Sequence, residues 1–263
     1  MFRTRYLAPL LGSLVLPYAL SAQLIAGFGG SVQQADLLYF GGNPLEALHI
    51  LERHLESEPA DYEALWRAAR SALVLGISEE ESEAQNGWLD PAIEFADRAV
   101  GERPEGIDGM YWRGAATGRR AMNAGPNHAT DLAQRVYKDA HAILTMEPDH
   151  GGAHNLLGKL NYEVMSLSRF ERTLGRLLMG NDALRDTSWE KAELHLNEAA
   201  QSWPDLILFQ FDLAQLYKKR GRDQEAIQVL SAMLELPSIH PPDEAIKASA
   251  RELLQEIGHD RDW

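Results

Sequence analysis

The sequence predicts an all-α fold, an α-solenoid of about five helix pairs closed by a C-terminal capping helix. Three observations carry that prediction. From residue 32 onward nearly every apolar run has helical spacing, and few alternating β-branched stretches compete with it. Five X-Pro steps, Glu58-Pro59, Arg103-Pro104, Glu147-Pro148, Trp203-Pro204 and Leu236-Pro237, each end such a run, because proline stops further winding. Small or modest residues suited to close helix packing stand at fixed distances before them. Twelve residues before the first four prolines are Ala47, Ala92, Val136 and Ala192, and eleven before Pro237 is Ala226.

The same register continues inward. Eight residues before the first four prolines come Leu51, Ala96, Ala140 and Leu196, and five before come His54, Ala99, Ile143 and Ala199. That is the second-helix pattern of a tetratricopeptide repeat. The prolines are 45, 44, 56 and 33 residues apart, so only the last interval is near the usual repeat length and the others carry longer helices or loops. The last unit shows the full pattern, with Ala214, Tyr217, a turn at Gly221, Ala226 and Pro237.

Taken in order, the elements are helices at 32–40 and 44–57, with Gly41-Gly42-Asn43-Pro44 as a turn that places proline at a helix start. Helices at 61–75 and 89–102 follow, separated by the acidic segment Ser78 to Glu83, read as a solvated loop or helix extension. Then come 107–123, 129–146, 151–178, 188–202, 205–220 and 223–235. A closing helix at 242–257 covers the apolar face that the last repeat leaves open.

The organisation expected is a signal peptide over residues 1–22, a linker over 23–31, the repeat domain over 32–257 and a tail over 258–263. Arg3 and Arg5 form a basic start, Tyr6 to Leu20 is an uncharged and mostly apolar run, and the small residues Ala19, Ser21 and Ala22 suit cleavage after Ala22. Pro9, Gly12 and Pro17 interrupt the run, which argues against a membrane anchor. The chain is therefore expected to be exported, periplasmic or secreted. Losing the leader takes the net charge from −14 to −16. So acidic a chain, with no concentrated Lys and Arg, is not a general nucleic-acid binder. With no cysteine there is no disulfide, thiol catalysis or Cys-ligated zinc.

Chemistry of the usual kinds is not written in the chain. There is no Gly-rich phosphate loop, nucleophile elbow or HExxH zinc helix. His150 and His154 are four apart and could share a helix face beside Asp149, but the plainer reading makes Asp149 a helix cap and the histidines turn residues. His49 and His54, five apart, do not face each other well. No metal, cofactor or catalytic residue is expected, and the protein is read as a non-enzyme.

The concave face offers more. In such solenoids the first helix of each pair lines the inner surface. Alignment on Ala69, Gly114, Gly158 and Ala214 sets Trp66, Tyr111, Asn155 and Phe211 three positions before, with Arg70 and Lys159 one after. Tyr162 and Lys218 fall four after, and Arg119 and Lys219 five after. A groove carrying these aromatic and basic side chains would attract a carboxylate or phosphate and give apolar contact to a peptide side chain or acyl tail. The competing reading makes the aromatics inter-helix core and pairs the cations with neighbouring acids.

One stretch is more specific. Asn155-Leu156-Leu157-Gly158-Lys159, followed by Tyr162-Glu163-Val164, Ser166-Leu167-Ser168 and Phe170-Glu171-Arg172, resembles the tetratricopeptide domain of the regulator of microtubule dynamics family. Tyr137 to Pro148 and Ser188 to Pro204 fall where that family has helices, and Met110-Tyr111-Trp112-Arg113-Gly114 is a looser match. The similarity spans residues 35–237, with 155–172 its distinctive part. The resemblance implies a non-enzymatic scaffold, in a family linked to microtubules and organelle contact sites and with one member whose repeat domain binds phospholipids. A chain routed out of the cytoplasm meets no microtubules, so what carries over is the fold and the groove.

Arg169, Arg172 and Arg176 lie at three- and four-residue spacing, with Phe170, Leu174, Leu177 and Leu178 on the other side, an amphipathic helix. Its apolar face either covers the solenoid or sets a basic, lipid-facing edge beside the groove. The function expected is that of an exported scaffold binding a peptide segment or protein partner in the groove, the alternative being a module for an anionic phospholipid.

Overall fold

Eleven α-helices and no strands make up the regular structure of the computed structural model, which describes residues 30–168, 185 and 187–261. They are α1 (Ser31–Phe40), α2 (Pro44–Ser57), α3 (Tyr62–Ile77), α4 (Ser82–Glu102), α5 (Ile107–Met122) and α6 (Pro126–Met146). After these come α7 (Gly151–Ser166), α8 (Trp189–Ser202), α9 (Ile207–Lys219), α10 (Asp223–Leu234) and α11 (Asp243–Arg261). Successive helices pack as antiparallel pairs, α1 on α2 through α9 on α10, and α11 covers the last pair. The solenoid of five pairs with a cap is the architecture expected.

The proline steps act as the pattern predicts. Glu58, Arg103, Glu147 and Trp203 are the C-caps of α2, α4, α6 and α8, each donating its N–H to the carbonyl four residues back before the proline ends the helix. Asp61 then caps α3, its carboxylate accepting from Glu63 N at 2.9 Å and Ala64 N at 3.2 Å. The turns after α1 and α9 need a left-handed residue, supplied by Gly42 at φ 81 and Gly221 at φ 71.

The small residues of the register are where the helices touch. Ala47, Ala92, Ala192 and Ala226 are fully buried, as are Leu51, Ala96, Ala140 and Leu196. Three apolar clusters follow along the chain, one over α1–α4, one over α5–α7 and one over α8–α11.

Several boundaries differ from expectation. α4 starts at Ser82 rather than 89, because the acidic segment winds into the helix. Gln85 Nε2 there donates to Glu79 O at 2.8 Å, and Leu89 is fully buried against Gly76. Pro91 consequently sits inside α4, where it leaves the Gly87 carbonyl without an intrahelical donor. α6 starts at Pro126, and α11 runs past 257 to Arg261. α7 stops at Ser166 instead of 178, since Leu167 turns extended (φ −62, ψ 155) within a Ser-Leu-Ser step that favours helix poorly. The leader over 1–22 and Arg169, Arg172 and Arg176 lie outside the described residues.

Curvature brings the two ends together. Tyr39 and Phe40, at the end of α1, meet the His240 ring in the α10–α11 loop, with centroids 6.4 and 5.6 Å apart. The concave side is thus a chamber lined by helices and by the loops at 203–206 and 239–242, still partly open to solvent. No helix among the described residues is long and apolar enough to cross a membrane.

Candidate functional site

The chamber has a volume of about 1930 Å³, and one helical stripe from each first helix faces it. On α3 the stripe is Trp66, Arg70, Leu73, Val74 and Ile77. On α5 it is Tyr111, Trp112, Ala115, Gly118, Arg119 and Met122. The spacing is that of one α-helix face, so the repeat register itself turns these side chains inward. α7 adds Asn155, Lys159, Leu160 and Tyr162, α9 adds Leu208, Phe211, Gln215 and Lys219, and Ile239, His240 and Ile246 close the far end.

Nine of the ten expected groove residues are therefore brought together, Lys218 being the exception. Lys218 points to the cap instead, 3.7 Å from Glu256. Their chemistry, however, departs from a basic groove. Arg70 Nη2 donates to Asp36 at 2.6 Å. Lys159 Nζ lies 3.0 Å from Asp212 and 3.6 Å from Glu163. Asn155 is spent on the same carboxylate, donating to Asp212 Oδ2 at 2.9 Å. Burial works against the Lys159 ammonium, but Asp212 and Glu163 outweigh it and raise its pKa. Arg119 meets no acid, only Gln85 Oε1 at 3.4 Å and the Met122 sulfur at 3.8 Å, and Lys219 makes no ion pair among the described residues. The acids of neighbouring helices, absent from the aligned positions, neutralise most of what the alignment collects.

The aromatics divide. Trp66 is 9% exposed and anchored by its indole N–H to Glu63 Oε2 at 3.0 Å. Tyr111 packs edge-on to Trp112, His150 and Trp203, and burial raises its phenol pKa. It serves the helix interface as much as the chamber. Tyr162 stands 6.0 Å from Trp189 with its phenol pKa likewise raised by burial, while Phe211 stays half-buried on the wall.

Sequence reasoning missed Trp112, Leu160, Tyr39 and His240. The first two were within reach, because a stripe extended along each first helix includes them. Tyr39 and His240 join the wall only through closure of the superhelix. His150, not Asp149, caps α7, its Nδ1 accepting from Ala153 N at 3.0 Å. His154 turns away from it to His195, with Nδ1 atoms 2.9 Å apart. Among the described residues no group of three or more ligand-type side chains is placed to hold a metal.

Comparison with known proteins agrees with this architecture. The family model described as regulator of microtubule dynamics protein 1-3 matches residues 31–258. Regulator of microtubule dynamics protein 3 of Rattus norvegicus is 24% identical over 238 residues, which cover 86% of this chain and 48% of that protein. The chain thus spans about half the length of that relative. Regulator of microtubule dynamics protein 1 of Bos taurus is 24% identical over 233 residues, covering 85% of this chain and 70% of its own. Among solved structures, a thermophilic tetratricopeptide-repeat protein of Thermus thermophilus superposes with a TM-score of 0.62 at 22% identity, over 86% of this chain and 97% of that one. With a match across nearly the whole repeat region, this chain belongs to the regulator of microtubule dynamics family.

Proposed function

We propose that this chain is a non-enzymatic binding module that encloses the apolar part of an extended amphipathic ligand, a phospholipid or another acyl-bearing molecule. The tetratricopeptide fold is an interaction scaffold, and the chamber is what turns the reading toward an acyl chain. Its volume of about 1930 Å³, above the roughly 300–1,000 Å³ of ordinary small-molecule sites, leaves room for a long guest. Its wall is mainly aliphatic and aromatic, and most of its polar groups already bond one another. An acyl chain lying along the apolar part of the wall strands few donors or acceptors there, whereas a buried peptide backbone needs partners that Asn155 and Lys159 no longer offer. The leader over residues 1–22 would route such a module out of the cytoplasm.

The fold by itself favours a peptide or protein partner, and one experiment separates the two. The chain, expressed from its own Met1 and purified from the cell envelope, is weighed by native mass spectrometry and extracted for lipid. A bound acyl ligand near one per chain, with occupancy reduced when Gln215→Trp narrows the chamber, is the expected result. A ligand-free protein that captures peptides would replace the acyl reading with the scaffold one. The same spectrum reports whether residues 1–22 are removed.

A further inference from the structure

The chain has no cysteine, so its thioethers are its only sulfur. Among the described residues Met110 and Met233 are buried and Met165 is half-buried, which leaves Met122 and Met146 open to solvent. Met122, the last residue of α5, is 55% exposed and stands on the chamber wall. Met146, the last residue of α6, is 41% exposed and is no part of that wall.

A guanidinium distinguishes Met122. Arg119 lies three residues earlier on the same helix face and holds Nη1 3.8 Å from the Met122 sulfur. A thioether is a weak acceptor, so that contact satisfies the guanidinium poorly. Its bond to Gln85 is little better. Nη2 donates to Gln85 Oε1 at 3.4 Å, and that oxygen already receives Asn123 Nδ2 at 2.9 Å. Arg119 Nε is buried without a hydrogen-bond partner, and no carboxylate pairs with the side chain among the described residues. Arg119 thus lacks a strong acceptor beside the one atom that oxidation would convert into one.

We propose that Met122 is a reversible oxidation site whose sulfoxide oxygen is received by Arg119. The oxidant is hydrogen peroxide. A sulfur lone pair attacks one peroxide oxygen, and the S–O bond forms as the O–O bond breaks. The proton of the attacked oxygen passes to the departing one, which leaves as water. Sulfur gives up two electrons and the peroxide takes them. Negative charge grows on the oxygen that stays with sulfur, and Arg119 is placed to donate to it. The product is a polar, chiral group where an apolar one stood. Reduction by a dithiol through a methionine sulfoxide reductase returns the thioether, with a disulfide and water as the other products. A polar group on the α5 wall weakens the chamber's hold on an acyl guest. That consequence rests on the acyl-chamber reading, whereas the oxidation site does not.

The test exposes the full chain to dilute hydrogen peroxide, quenches at intervals and maps the oxidised peptides by mass spectrometry. Exposures of 55% and 41% alone would oxidise Met122 and Met146 at rates within about twofold of each other. A charge-assisted bond formed in part at the transition state should set Met122 about fivefold or more ahead. Arg119→Gln should bring the two rates back within about twofold, and Arg119→Lys, which keeps the charge, should restore part of the lead. Met146 is the internal standard, because a variant that unfolds speeds both sulfurs. Equal rates in the parent, or a lead that survives Arg119→Gln, would overturn the site. Where the purified chain carries an acyl guest, peroxide should release it from the parent and not from Met122→Leu. Equal release from both overturns the consequence for the chamber. A chain that purifies empty counts against the acyl reading, and the oxidation site then stands or falls on the two rates.

Discussion

Gly158→Ala and Gly87→Ala are the same substitution in two helix interiors, and the packing argument gives them opposite signs. A Cβ at Gly158 would stand 2.7 Å from both Cγ and Cδ2 of Leu196 and 3.0 Å from its backbone nitrogen. Leu196 is fully buried, so it has no free volume to rotate into, and its nitrogen belongs to α8. Relief requires α7 and α8 to separate, an overpacking cost of about 1–3 kcal/mol. Against it stands the helix preference of Ala over Gly, about 0.5–1 kcal/mol. The net expectation is a loss of about 1–2 kcal/mol. At Gly87, exposed on α4, nothing lies within 4 Å of the added carbon, and only the propensity gain remains. For a chain of this size each kcal/mol moves Tm by about 2–4 °C. Thermal unfolding followed by circular dichroism should show Gly158→Ala melting about 2–8 °C below the parent and Gly87→Ala about 1–4 °C above it. If the two shift together, or Gly158→Ala rises, close approach of the paired helices is not what that glycine secures.

Two further outcomes are expected. Asp139, 4% exposed, receives Arg113 through both Nε, at 2.9 Å, and Nη2. Asp139→Ala leaves that guanidinium between α5 and α6 with only the longer contact to Asp97, and should cost about 2–3 kcal/mol in urea unfolding, an unchanged midpoint being the refuting result. The second concerns pH. Burial, then His154, His141 and Lys191, push the His195 pKa down from 6.5 to about 4. A histidine depressed in the fold binds its proton more readily when unfolded. Its contribution is therefore intact above pH 6.5 and is lost as pH falls toward 4, by about 2 kcal/mol once its partial exposure is allowed for. His195→Gln should flatten the stability profile across that window, and a variant that keeps the parental slope there would place the titration elsewhere.

The sequence made the fold legible because a repeat writes its packing as local periodicity. The prolines mark helix ends through a missing N–H, and Ala47, Ala92 and Ala192 mark crossings where only a small side chain fits, so both signals survive irregular spacing. The same logic carried the chamber face, since Trp66, Arg70, Tyr111 and Asn155 follow from register alone. It failed at α4 and at the end of α7, where the deciding facts are the burial of Leu89 beneath Gly76 and one extended residue at Leu167.

Charge was the harder matter. Register states which face a residue occupies but not which acid stands across from it. Asp36 lies 34 positions from Arg70, and Asp212 lies 57 from Asn155, each on a different helix pair. An alignment of cations therefore overstates a positive groove wherever acids on adjoining repeats answer them. The same argument separates the cations by how far they are answered. Lys159 is answered by two carboxylates, whereas Arg70 shares its one with Arg67.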